Sequence, residues 1–105
     1  MQVNRLSKTL KKVLDEHGFN VKALDDGTYE ISIYTPEGED WIFCVDGDED
    51  FISFVEGFDP DEEFHMLYTS GIAGLPKPLD LALDQQWKSD VLKEILEDYY
   101  NEKRN

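Results

Sequence analysis

From Thr28 to Tyr34 the residues alternate between apolar and polar, and across one short turn the apolar run Trp41–Val45 follows, a pattern that points to a β-hairpin. Within Thr28–Tyr34, Tyr29, Ile31 and Ile33 share one face, opposite Thr28, Glu30 and Ser32. Pro36-Glu37-Gly38 supplies the turn, with Pro presetting φ for its first half. In Asp40–Val45, Trp41, Phe43 and Val45 face one way, Ile42 and Cys44 the other. Phe19–Leu24 reads as a preceding strand, joined through Asp25-Asp26-Gly27, where glycine accepts positive φ. Three consecutive strands on short turns predict an antiparallel meander.

On either side the period is helical. Val3, Leu6, Leu10, Val13 and Leu14 form one stripe, with Gly18 as a left-handed stop. Phe51, Ile52, Phe54, Val55 and Phe58 follow Asp48-Glu49-Asp50, an acidic run that suits the positive end of a helix. Asp59 reads as an N-cap and Pro60 as the first helical position, ahead of Asp61-Glu62-Glu63. That helix continues through Phe64, Leu67 and Tyr68 to Ser70-Gly71. Pro78 opens a last helix, in which Leu79, Leu83, Trp87, Val91, Ile95 and Tyr99 repeat every four residues, widened by Ala82, Leu92 and Leu96. The expected fold is α+β: an N-terminal helix, a three-stranded antiparallel meander, then two or three C-terminal helices, packed on one face of the sheet. A length of 105 residues predicts one domain, 1–105, with one core.

Charge narrows the function. The formal net charge is −14, and it is not spread evenly. From Ala23 to Pro76, fifty-four residues contain fifteen Asp and Glu and no Lys or Arg. The flanks hold all ten basic residues against nine acidic ones. Helix capping explains Asp48–Asp50 and Asp59–Glu63 one by one, as does a solvated face. Neither explains the exclusion of every base, because ordinary surfaces mix the signs to limit self-repulsion. Eleven Phe and Tyr with two Trp argue against disorder. No apolar run approaches the ~20 residues of a membrane span, and the N-terminal stripe lacks the continuous apolar stretch of a secretory signal. A lone Cys44 forms no internal disulfide, so the expected location is the cytoplasm.

Catalytic motifs are hard to find. His17 precedes a helix-ending Gly and His65 sits on a short helix, neither beside a recognisable Ser or Cys nucleophile. Ser70-Gly71-Ile72-Ala73-Gly74 matches neither the nucleophile elbow nor a phosphate loop. The expectation is a protein that is not an enzyme. Asp46-x-Asp48-x-Asp50 and Asp59-x-Asp61-x-Glu63 have the first spacings of a calcium loop. Both fail at the sixth position, where Phe51 and Phe64 replace Gly, and at the twelfth, where Gly57 and Ser70 replace the bidentate Glu. No Cys/His cluster suits zinc, so neither a metal nor a cofactor is expected.

The order of a Val3-Asn4-x-Leu6 helix, a meander, an acidic turn and a Phe-rich helix resembles the small acidic anti-CRISPR proteins of phages infecting Gram-positive bacteria. It covers roughly Met1 to Phe58 by arrangement and includes no residue-level motif. Phe58-Asp59-Pro60-Asp61-Glu62-Glu63 before a Pro-opened helix is similar to small proteins of phages and integrative elements. The long helix from Pro78 departs from the anti-CRISPR pattern. The resemblance implies a DNA mimic that fills the surface with which a type II CRISPR nuclease reads duplex DNA.

Charge and resemblance together predict a non-catalytic inhibitor of a basic, nucleic-acid-binding protein, with no direct contact to nucleic acid or membrane. The expected partner-binding array is Asp46, Asp48, Glu49, Asp50, Asp59, Asp61, Glu62 and Glu63, with Glu37, Glu39 and Asp40 as an outer fringe. The alternative is a structural or assembly protein of a mobile element, docking through Trp87, Tyr99 and Tyr100 of the last helix.

Overall fold

The computed structural model describes residues 5–104. The elements are α1 (Lys8–Glu16), β1 (Asn20–Ala23), β2 (Tyr29–Tyr34), β3 (Asp40–Val45), α2 (Asp48–Gly57), α3 (Pro60–Ser70) and α4 (Pro78–Arg104). The sheet is an antiparallel meander of order β1-β2-β3, giving the expected α+β layout.

Local chemistry sets the boundaries. Val3 lies outside the described residues. Leu6 is buried but precedes α1, because Ser7 is its N-cap and the hydroxyl accepts the N–H of Leu10. At the other end Gly18 donates to the Asp15 carbonyl and Phe19 to that of Leu14, with Gly18 at φ 86°. This closure requires a left-handed residue, which glycine adopts without a Cβ clash. The hairpin loops close through Leu24 N–H to the Thr28 carbonyl and Thr35 N–H to that of Glu39. Asp59 caps α3 by accepting from the N–H groups of Asp61 and Glu62, with Pro60 in the first turn. Gly47 serves packing, since a Cβ there would lie 3.0 Å from the Arg5 backbone nitrogen. The chain entering α1 thus crosses the β3–α2 junction, where Ser7 N–H donates to Asp48.

One face of the sheet is covered. Tyr29, Ile31, Trp41 and Val45 are buried there with Leu10, Val13 and Leu14 of α1, Phe51 of α2, and Leu92, Ile95 and Tyr99 of α4. An aromatic cluster links the layers: Phe43 stacks on Phe54, while Trp41 meets Phe19 and Trp87 edge-on. Tyr34, Ile42 and Cys44 are exposed on the opposite face.

The last helix corrects the sequence reading. Its buried face is Leu81, Asp84, Gln85, Lys88, Ser89, Val91, Leu92, Ile95 and Tyr99. Leu79 and Leu83, the first two members of the expected four-residue stripe, are 83% and 62% exposed, and Ala82 is exposed as well. The reason is geometric. A spacing of four overshoots a 3.6-residue turn by about 40° per step, so Leu79 lies about 160° around the axis from Ile95. A straight helix packed on one side does not bury both.

Candidate partner-binding interface

Lys88 is the one buried cation among the described residues, with 0% of its surface exposed. Its Nζ lies 2.9 Å and 3.0 Å from the two carboxylate oxygens of Glu39 and 3.3 Å from Glu63, and sits 5.0 Å from the centre of the Trp41 ring. One turn earlier on α4, Asp84 accepts from the Thr35 hydroxyl and from the Glu37 N–H, while the Thr35 oxygen accepts from Glu39 N–H. The β2–β3 turn is therefore pinned to α4 by polar contacts. Removing an ion from water costs several kcal/mol, which is offset only where partners surround it as they do here. Glu39, expected on the outer fringe, is instead 6% exposed and belongs to this network. Its position directly after the turn folds it under, toward Lys88. Glu37 and Asp40 are exposed as expected.

The eight carboxylates of the expected array fall into two groups. Four are engaged internally. Asp48 accepts from Ser7 N–H and from the Tyr99 hydroxyl, Asp50 from Asp46 N–H, Asp59 caps α3, and Glu63 meets Lys88. The other four, Asp46, Glu49, Asp61 and Glu62, are exposed, and their carboxylates bond to no other described residue. Burial, and next the neighbouring Asp48 carboxylate, push the Tyr99 phenol above its ordinary range.

Asp48 and Glu63 set the scale of the array. Their partners Tyr99 and Lys88 are eleven residues apart on α4. At 1.5 Å per residue, the two acidic helix starts are anchored roughly 16 Å apart along a single rigid helix. The exposed acids flank these anchors in sequence.

The docking residues of the alternative reading are mostly interior. Tyr99 is buried, Trp87 is half-buried against Trp41, and Tyr100 alone is exposed. The large apolar side chains that α4 presents to solvent are Leu79, Leu83 and Tyr100.

Sequence reasoning missed Lys88, Asp84 and Thr35. Asp84 and Lys88 stand four apart, and Gln85 shares their face, which marks a polar stripe on the helix. That stripe could have been noticed, but nothing in the sequence said it faced inward.

Among the described residues, no group of three His, Cys, Asp or Glu side chains is placed to hold a metal ion. Nor is any described helix long and apolar enough to cross a membrane. Compared with known protein families, curated proteins and solved structures, the chain matches none.

Proposed function

We propose that this protein is a non-catalytic inhibitor that presents carboxylates to the DNA-binding surface of a basic protein and competes with DNA for it. The observation that carries the reading is the pair of acidic helix starts held on one helix, within a segment that contains no Lys or Arg. Proteins that bind DNA line their channels with Lys and Arg to neutralise phosphate. Carboxylates carried on two helix starts, which are anchored roughly 16 Å apart along α4 through Tyr99 and Lys88, can meet such side chains in place of phosphates. Asp46, Glu49, Asp61 and Glu62 carry the contact, because their charges are exposed and unpaired. Asp48, Asp50, Asp59 and Glu63 hold those residues in place. The element order, which resembles that of small acidic anti-CRISPR proteins, makes a type II CRISPR effector nuclease the first candidate partner.

The test follows from that division. Guide-loaded type II nuclease is titrated with the protein, and target-DNA binding is read by fluorescence anisotropy. The wild-type chain blocks DNA binding, preformed DNA complexes resist it, and inhibition weakens as salt shortens the ~8 Å screening length. Replacing Asp46, Glu49, Asp61 and Glu62 by Asn, Gln, Asn and Gln lowers inhibition at least tenfold and leaves the thermal midpoint nearly unchanged. Full inhibition by that variant sinks the mimic. A pull-down that recovers only acidic or membrane partners does the same.

A further inference from the structure

The sheet ends at β3, and the hydrogen-bond pattern says which of its groups are unpaired. Thr35 N–H donates to the Glu39 carbonyl, and directly opposed residues alternate between bonded and unbonded pairs in an antiparallel ladder. Counting on from Thr35–Glu39, the main-chain groups of Trp41, Phe43 and Val45 point toward β2. Those of Asp40, Ile42 and Cys44 point away from it, and among the described residues no strand lies beyond them.

This edge faces a groove of about 630 Å³. The run Gly38–Phe43 forms one wall, and Met66, Leu67 and the 72–75 loop form the other. Met66 and Ile72 are exposed, so the far wall is apolar and open. Asp40 and Glu63 supply carboxylates, and no Lys or Arg lines the groove. Exposed edges are ordinarily guarded by Lys, Pro, a bulge or a covering element. β3 has neither Lys nor Pro, and pairs with β2 in unbroken register. Its guard is charge. A second copy bearing −14 is repelled, whereas a cationic strand is attracted.

We propose that the outer edge of β3 takes up an extended segment of a partner protein by strand addition, the segment alternating basic and apolar residues. Main-chain bonds to Asp40, Ile42 and Cys44 give the affinity. These three residues span about 14 Å, enough to pair a segment of roughly five residues. Apolar side chains of the segment meet Met66 and Ile72, and its basic ones meet Asp40. This contact is separate from DNA mimicry, because it reads main chain as well as charge and does not use Asp46, Glu49, Asp61 or Glu62.

The experiment is amide hydrogen exchange by NMR on the whole chain, with a capped eight-residue peptide of alternating Val and Lys as probe. In the free protein Asp40, Ile42 and Cys44 exchange fast while Trp41 and Phe43 exchange slowly. The peptide slows the first three at least tenfold, and Asp40→Lys weakens its binding at least tenfold. The same slowing in the variant neutralised at Asp46, Glu49, Asp61 and Glu62 separates this site from the DNA-mimic surface. The proposal is overturned by slow exchange of the three amides without peptide, equal binding of a fully N-methylated peptide, equal binding of a Val–Glu peptide, or slowing located elsewhere. Protection that grows with protein concentration in the absence of peptide overturns it in favour of self-pairing.

Discussion

From Val91 to Tyr99, α4 lies in an apolar core, with Leu92 and Ile95 packed among α1, the sheet and Phe51. From Leu81 to Ser89 the same helix buries Asp84, Gln85 and Lys88, and turns Leu83 to solvent. Apolar burial is non-directional, so the C-terminal half supplies driving force without fixing where the helix must sit. The N-terminal half is directional, because Asp84 must meet Thr35 and the Glu37 N–H while Lys88 meets Glu39 and Glu63. One half holds the helix on; the other sets its register against the β2–β3 turn and α3.

The sharpest way to break this contrast is Lys88→Ala, which leaves Glu39 buried without a counter-charge. We expect a loss of about 3–5 kcal/mol by urea denaturation. Combining Lys88→Met with Glu39→Gln and Glu63→Gln should restore most of that loss, since no buried charge is then left unpaired. A triple variant as unstable as Lys88→Ala would mean that the ion pair is not the source.

At the apolar end, Ile95→Ala should cost about 3 kcal/mol, from lost transfer energy and the cavity left behind. No second substitution rescues it, because there is no partner left exposed to an unmet need. Rescue by a distant polar change would blur the two halves into one.

Tyr99 joins the two modes, with its ring in the core and its hydroxyl on Asp48. Burial first, and then Asp48, raise its phenol above the ordinary 10.0. Below that value both folded and unfolded chains hold the proton, and the contribution to stability is complete. Above it the unfolded chain releases the proton while the folded one retains it, so stability falls as pH rises further. Tyr99→Phe should remove this alkaline slope, and cost about 1–2 kcal/mol at neutral pH for the lost bond to a carboxylate. An unchanged slope in denaturant titrations from pH 9 to 11 would be inconsistent with a buried, Asp48-bonded phenol.

The smallest effect belongs to a member of the four-residue stripe that the sequence pattern marked. Leu83→Ser should change stability by less than about 0.5 kcal/mol, because the side chain is exposed. A larger loss would show Leu83 to be packed in solution.

The sheet was legible because period two is self-contained: each residue from Tyr29 to Ile33 declares its face from its neighbours alone, and the short turn carries that register into β3. Two caps were equally legible, since Gly18 and Asp59 act on groups two or three residues away; Ser7 was not, because the apolar stripe from Val3 placed it inside the first helix. The face of α4 was not, because the four-residue stripe drifts and nothing local selects which part of it turns inward. That selection comes from Glu39 and Thr35, each forty-nine residues from its partner. The candidate site divides in the same way. Its acids were visible as composition, but the engagement of Asp48 and Glu63 depends on Ser7, Tyr99 and Lys88, which lie outside the acidic run.

The tryptophan pair has an optical consequence. Trp41 on β3 and Trp87 on α4 have ring centres 6.3 Å apart at 70°, and they are the only two indoles in the chain. At this range and inclination their excited states couple, and an exciton couplet is expected in the circular dichroism spectrum. The couplet arises from neither ring alone, so it disappears when the helix parts from the sheet even if both elements keep their secondary structure. Light absorbed by the native indoles therefore reports one event, the docking of α4, with no label added.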